Sequence, residues 1–240
     1  MSNSYKYKRV VLKLSGEALA GERGFGIDSG IIAKIAGEVA QVAKGGVQTA
    51  VIIGGGNFLR GATTEGVSAI AGDAMGMLAT VINSIAFAER VKACGVDARV
   101  LTATRIDRVG GEYYTPARAV ELMESGAVAV IGGGTGSPFF TTDTAAALRC
   151  AELGGEIIMK ATKVDGIYDS DPMKNPSAKK FDEITHAEAL SRKLKVMDAT
   201  AFSFCMEWGL PIIVFKLLED GNLARCLEGQ SVGTVVKFGD

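Results

Sequence analysis

Three glycine-bearing turns hold most of the residues in this 240-residue sequence that have the types and spacing to do chemistry. They are Lys13-Leu14-Ser15-Gly16, then Gly54-Gly55-Gly56-Asn57 with Arg60 just beyond, and the stretch GGGTGSPFFTTD from Gly132 to Asp143. Each follows a short apolar, strand-like run. A glycine turn between a strand and a helix exposes backbone amides beside a helix N-terminus, which suits an anion. One such turn means little, but three at the same edge of a sheet would cradle a polyphosphate. The phosphate loop GxxxxGK[ST] is absent, and no lysine in the chain is followed by Ser or Thr. Gly134-Thr135-Gly136 also lacks the third glycine of a dinucleotide fingerprint.

The charged residues in and near these turns each admit two readings. Lys13 either snorkels from an edge strand or projects its ammonium over a phosphate site, where it would neutralise charge on a transferred phosphoryl group. Arg60 is a surface arginine by default, and the preceding triple glycine favours phosphate contact. Thr141 and Thr142 are N-cap candidates for the helix that follows, and Asp143 is then a first-turn carboxylate favoured by the helix dipole. A carboxylate there repels bound phosphate, so an anion site requires Lys13 or a magnesium ion as its partner. Phe139 and Phe140 beside paired hydroxyls suggest a pocket that holds something flat as well as something charged.

Asp73 reads as a helix cap or as an acceptor for ribose hydroxyls, and Met75 and Met77 beside it as core. Tyr168 is a packed loop aromatic or a platform for adenine, and Asp171 before Pro172 is a turn residue. Asp198 reads as a helix cap. The sole histidine, His186, stands at the start of a helix and is expected to be solvated or capping, which argues against Ser-His-Asp or Cys-His catalysis.

The elements that must position these residues follow from hydrophobic patterning. Val10–Leu14, Ala50–Ile53, Ala98–Leu101, Ala127–Ile131, Ile157–Met159 and Ile212–Phe215 are continuous apolar runs, as expected for strands covered on both faces. Val232–Phe238 reads as a closing strand. Between them lie helix-period stretches, with Ile31, Ile32, Ile35, Val39 and Val42 on one face and Met75, Leu78, Ala79 and Ile82 on another. Alternating strands and helices predict a three-layer α/β/α sandwich around a mainly parallel sheet, with ligands beyond the carboxyl ends of the strands. The loop-like stretch Asp165–Phe181 could divide two lobes, but one continuous sheet is expected.

Composition narrows the function. Hydrophobic residues make up 48% and charged residues 22%, and the net charge of −1 leaves no basic footprint for nucleic acid. Cys94, Cys150, Cys205 and Cys226 form no CxxC pair, which points to reduced thiols rather than zinc or a disulfide scaffold. Lys13 interrupts the apolar N-terminal run, so no signal peptide is read, and no apolar run is long enough to span a bilayer. The expectation is a cytoplasmic protein without membrane or nucleic-acid partners.

Taken together, these segments resemble the amino acid kinase family, and within it the bacterial uridylate (UMP) kinases. KLSGEAL at Lys13–Leu19, GGGN at Gly54–Asn57 and ATKVDGIYDSDP at Ala161–Pro172 are shared across the wider family. DAMGMLAT at Asp73–Thr80 and GTGSPFFTTD at Gly134–Asp143 are narrower, and LKVMDATAF at Leu194–Phe202 agrees with them. The resemblance covers nearly the whole chain. It implies one domain over 1–240, with an acceptor-binding part at about 1–155 and an ATP-binding part at about 156–240.

The same resemblance implies ATP contacts at Lys13, Leu14, Ser15, Gly16, Gly56, Arg60, Thr162, Tyr168 and Asp171. It implies UMP contacts at Gly55, Asp73, Thr135, Gly136, Ser137, Pro138, Phe139, Phe140, Thr141 and Thr142. Lys13 and Asp143 match the catalytic lysine and aspartate, with Mg2+ carried by ATP. The segment Gly21-Glu22-Arg23-Gly24-Phe25-Gly26 matches a region where some members bind GTP as an activator, and members are similar in being homohexamers inhibited by UTP. Two other readings stand beside this one. A kinase of the same fold acting on a carboxylate or carbamate would leave Phe139, Phe140 and Asp73 without a job. A non-catalytic nucleotide sensor would have no reason to hold both Lys13 and Asp143.

Overall fold

In the computed structural model, residues 5–59, 66–106, 108–172, 174–194 and 196–239 are described. The chain starts in the middle of its sheet. Strand β1 (Arg9–Leu14) pairs in parallel with β2 (Gln48–Ile53) on one side and β6 (Ile157–Thr162) on the other. Beyond β2 lie β5 (Val128–Gly132), β3 (Ala98–Thr102) and the short β4 (Glu112–Tyr113), all parallel. Beyond β6 lie β8 (Ile212–Lys216), β9 (Gly233–Lys237) and β7 (Glu183–Thr185), with β9 antiparallel to β8 and parallel to β7. Among the described residues the order is β4-β3-β5-β2-β1-β6-β8-β9-β7.

Burial on both faces explains why the strands read as unbroken apolar runs rather than alternating ones. Val10, Leu12 and Leu14 face one layer, built from α2 (Ser29–Lys44), α3 (Ala69–Ala93) and α8 (Asn222–Leu227). Val11 faces the other, built from α4 (Pro116–Glu124), α5 (Thr142–Leu153), α6 (His186–Ser191) and α7 (Ala199–Glu207). Alternation along β1 therefore sends the Lys13 side chain, like that of Val11, toward the α5 layer. The predicted α/β/α sandwich is the observed architecture, and α1 (Gly16–Ala20) follows β1 directly.

Several expectations change. The apolar face read on α3 does not cover the sheet: Leu78 and Ile82 are 53% and 50% exposed, and Met75 and Ile85 are also exposed. The buried side of α3 carries Ala79, Thr80, Asn83, Ser84 and Ala88 along with Val81, Phe87 and Val91. Small side chains let the helix approach the end of β5, where a Cβ on Gly132 would lie 3.0 Å from Ser84 Oγ. By length and mean hydropathy (1.4) α3 would suffice to cross a bilayer, but it is packed into the sandwich against β3, β5 and α2, so it is not a membrane span. Asp73 lies inside α3, whose cap is Ser68. His186 is neither solvated nor a cap: it is buried against Phe202, and Thr185 caps α6 by accepting from Glu188 N. Burial holds the imidazole below its ordinary pKa.

Candidate active site

β1 and β6 run in register, so Lys13 and Lys160 are direct neighbours across the two strands. Both belong to the α5 side, and α5 presents Asp143 in its first turn. Lys13 Nζ lies 2.8 Å from Asp143 Oδ1, and Lys160 Nζ lies 2.7 Å from Asp143 Oδ2. One carboxylate thus holds two ammonium groups, at the point where the chain leaves β1 toward β2 and returns as β6. That is the topological switch point at which parallel sheets bind ligands.

The electrostatics follow from burial and charge. Desolvation opposes ionisation of Asp143, yet the charges of Lys13 and Lys160 hold its carboxyl below the ordinary value. Burial lowers the pKa of Lys160, with Asp143 opposing that shift and Lys13 adding to it. Lys160 Nζ also donates to the carbonyl of Val196, at 2.6 Å. A carboxylate shared by two ammoniums leaves a net positive, preorganised trio, which suits charge that develops on a transferring phosphoryl group.

Asp198 steadies the far side of this trio. It caps α7 by accepting from Ala201 N at 3.0 Å, accepts from the Thr141 hydroxyl, and accepts from Thr144 Oγ1 at 3.2 Å. Thr141 in turn caps α5 by accepting from the amide of Asp143, at 3.0 Å. The three glycine turns meet beside these groups. A Cβ on Gly16 would lie 2.4 Å from Gly54 O and 2.8 Å from Gly56 N, so only glycine lets the first two turns touch. A buried amide pair locks the second turn: Asn57 Nδ2 donates to Gly26 O (2.8 Å), and Asn83 Nδ2 donates to Gly54 O (2.7 Å).

Two clefts flank the trio. The larger, of about 570 Å³, is lined by Lys160, Thr162, Gly166, Tyr168, Asp171 and Arg192 among others. The smaller, of about 260 Å³, is lined by Gly55, Gly56, Asp73, Thr135, Phe140 and Thr142 among others. Lys160 lines the first cleft, Thr141 and Thr142 line the second, and Asp143 joins them.

The profile of the amino acid kinase family matches residues 8–216. The chain belongs to the amino acid kinase family. Among curated relatives, it is 49% identical over 233 residues to the uridylate kinase of Bacteroides thetaiotaomicron, covering 96% of this chain and 98% of that protein. It is 48% identical over the same length to the uridylate kinase of Parabacteroides distasonis, again with 96% and 98% coverage. Its fold is similar to the crystal structure of UMP kinase from Bacillus anthracis, with a TM-score of 0.93, 34% identity and coverage of 98% and 97%.

In this family member the expected site residues fall unevenly. Thr162, Tyr168 and Asp171 line the larger cleft, where Tyr168 Oη donates to Asp165 Oδ1 at 2.5 Å. Gly55, Asp73, Thr135, Ser137, Phe140, Thr141 and Thr142 line the smaller one, and so does Gly56, which was expected beside ATP. Asp73 Oδ2 accepts from the amide of Phe139, at 2.7 Å, so it props the GTGSPFF loop as well as facing the cleft. Gly136, Pro138 and Phe139 are not in that lining, and Phe139 stands out from the loop at positive φ. Leu14 turns its side chain into the core, Ser15 is the N-cap of α1, and Arg60 lies outside the described residues. Gly21–Arg23 form a 3-10 turn, and Gly26 is tied to Asn57, so this segment is outside the lining of both clefts.

Sequence reasoning missed Lys160 and gave Asp198 only its capping role. The signal for Lys160 was present: IIMK at Ile157–Lys160 repeats the VVLK pattern of Val10–Lys13, an apolar run closed by lysine before a strand end. As for metals, the described residues hold no cluster of three or more His, Cys, Asp or Glu. Both oxygens of Asp143 are engaged by lysines, and Asp198 is engaged by hydroxyls and an amide.

Proposed function

We propose that the chain transfers the γ-phosphoryl group of ATP to UMP, giving UDP and ADP. Its carrying observation is the Lys13–Asp143–Lys160 trio standing between two clefts, one of about 570 Å³ and one lined by hydroxyls, glycines and an aromatic ring. In this reading ATP lies in the larger cleft, along Thr162, Tyr168 and Asp171, with Ser15 and Gly16 toward its phosphates. UMP lies in the smaller cleft between Gly55, Asp73 and the loop from Thr135 to Thr142. The acceptor is a phosphate monoester with a second pKa of about 6, so it reaches the site as a competent nucleophile without a general base. That fits a site in which Asp143 and Asp198, the carboxylates beside the trio, are both committed to other partners.

The work left to the protein is to align two polyanions and to spread transition-state charge. Lys13 and Lys160 supply that charge, and Asp143 keeps both ammoniums fixed while opposing the burial that lowers the pKa of Lys160. Magnesium is expected to arrive on the ATP phosphates and to neutralise part of their charge, since no three His, Cys, Asp or Glu side chains gather among the described residues. The two parts, about 1–155 and about 156–240, contribute the acceptor and donor clefts to one domain.

The reading extends to assembly and control through family resemblance. A homohexamer agrees with the exposed apolar stripe on α3, and GTP activation through Gly21–Gly26 with the ties between that segment and Asn57. Feedback by UTP would act at the acceptor cleft. A cytoplasmic site agrees with four free cysteines, three of them buried with thiols pushed up to about 12 by desolvation.

The test is ADP release with ATP against UMP, CMP, dUMP, aspartate and acetylglutamate, with and without GTP and UTP. Activity with UMP alone supports the reading. Preference for aspartate or acetylglutamate moves the chain to the carboxylate kinases of the same fold, and inactivity with every acceptor moves it to the sensors.

A further inference from the structure

Arg149 is a buried charge that the chemistry above does not use. It lies on α5, the helix that carries Asp143, and is only 5% exposed. Its guanidinium stacks over the Tyr114 ring at 4.2 Å, and Nη1 donates to Glu152 Oε2 at 2.7 Å. Tyr114 Oη donates to the same Glu152 oxygen, at 2.7 Å. Nη2 reaches the carbonyls of Gly134 and Thr135, at 3.4 and 3.3 Å, while Nε has no partner.

A buried ion pair seldom outdoes an apolar side chain of similar size as a source of stability. What this arrangement supplies is orientation. The loop from Gly133 to Phe139 has positive φ at Gly133, Gly134, Gly136 and Phe139, so no regular ladder fixes its peptides. In a trans peptide the N–H points opposite to the C=O. Drawing the Gly134 carbonyl inward to Arg149 turns the Thr135 amide outward, on the side of the cleft that Gly134 and Thr135 line.

We propose that Arg149 is a positioning residue for the acceptor: its fork fixes the Gly134–Thr135 peptides against α5, so that the Thr135 amide is held toward the acceptor. Glu152 and Tyr114 hold the guanidinium flat for that purpose. The claim rests on the assignment of the smaller cleft to UMP.

The test uses the purified full chain and R149K, which keeps the charge but loses the planar fork. KM for UMP should rise about 10- to 100-fold, the scale of losing charge-assisted hydrogen bonds. KM for ATP and kcat at saturating UMP should stay near wild type, while the melting temperature falls by only a few degrees. E152Q should show the same selective rise in the KM for UMP, smaller in size, together with a lowered melting temperature because Arg149 loses its charged partner. Calorimetric titration with UMP should reproduce both rises. A UMP KM unchanged in folded R149K overturns the proposal. So does a parallel rise in both KM values with a lowered melting temperature, or an R149K chain that does not fold, since either makes Arg149 a general support. A wild-type chain inactive with UMP instead overturns the functional reading itself.

Discussion

Asp143 keeps two buried ammoniums within 2.8 Å, so replacing it should alter the lysines as much as the carboxylate. In wild type, burial lowers the pKa of Lys160 and Asp143 offsets part of that shift. In D143N the offset is gone while burial and Lys13 remain, so Lys160 should lose its proton at lower pH. The alkaline limb of kcat should move to lower pH, and kcat at neutral pH should fall about 10²–10³-fold, the scale of losing one preorganised charge contact. An unmoved limb would detach Lys160 from the reaction. The stability sign agrees: a lysine whose folded pKa is depressed costs stability while charged, and the cost fades as pH climbs from the folded value toward 10.5. D143N should therefore gain stability on raising the pH more steeply than wild type, as thermal melts would report. Asp143 works the other way, stabilising above 3.8 and losing that contribution as pH falls through its lower folded value. Lys13 was legible in the sequence because it interrupts an apolar run just before Ser15-Gly16, and Asp143 because it closes the stretch from Gly132 at the start of a helix-like run. Lys160 was not, because the apolar run before it was read as ending at Met159, whereas β6 continues through Lys160 to Thr162.

Elements deliver these residues through register and close approach. Parallel pairing of β1 with β6 puts Lys13 opposite Lys160, and the N-terminus of α5 meets both. Strands longer than four residues were legible from apolar runs, since burial on both faces leaves no other pattern. The short β4 and β7 carry too few apolar residues to stand out, and each pairs only at an edge of the sheet. The turns are the more demanding part. A methyl group on Gly16 would collide with Gly54 O at 2.4 Å and with Gly56 N at 2.8 Å, both backbone atoms that cannot swing aside. Gly16→Ala should thus part the first two turns and move the phosphate-facing amides. Displacement of about 1 Å costs about 10²-fold in rate where alignment supplies the catalysis. We expect kcat/KM for ATP to fall by that order while circular dichroism stays native. Full activity in G16A would mean that the turns can separate without disturbing the phosphates.

At the scale of the whole molecule, the sheet divides its two clefts at β1: the turns of the smaller hang from β2 and β5, and the larger opens beside β6 and β8. The outer face of α3 belongs to neither cleft. Met75, Leu78, Ile82 and Ile85 recur at helical spacing and all stand exposed, a stripe that a single chain leaves in water. In the sequence this face was indistinguishable from a core face, because periodicity reports that a stripe is covered and not by what. A second copy of α3 is the natural cover, since a self-complementary patch closes under two-fold symmetry. Leu78 and Ile82 are the residues to change, because they are the more exposed pair near the centre of the stripe. Light scattering of wild type should give a mass that is a multiple of the 25.0 kDa chain. The double variant L78D/I82D places two charges where apolar side chains would meet, each costly to bury unpaired. It should therefore run as a smaller species, with the mass reading falling toward that of one chain. Because Asp73 and Thr80 hold the loop from Gly133 to Phe139 from the same helix, the split form should also show a raised KM for UMP if that loop binds the acceptor as proposed. A variant with the wild-type mass would place the contact on another face of the molecule.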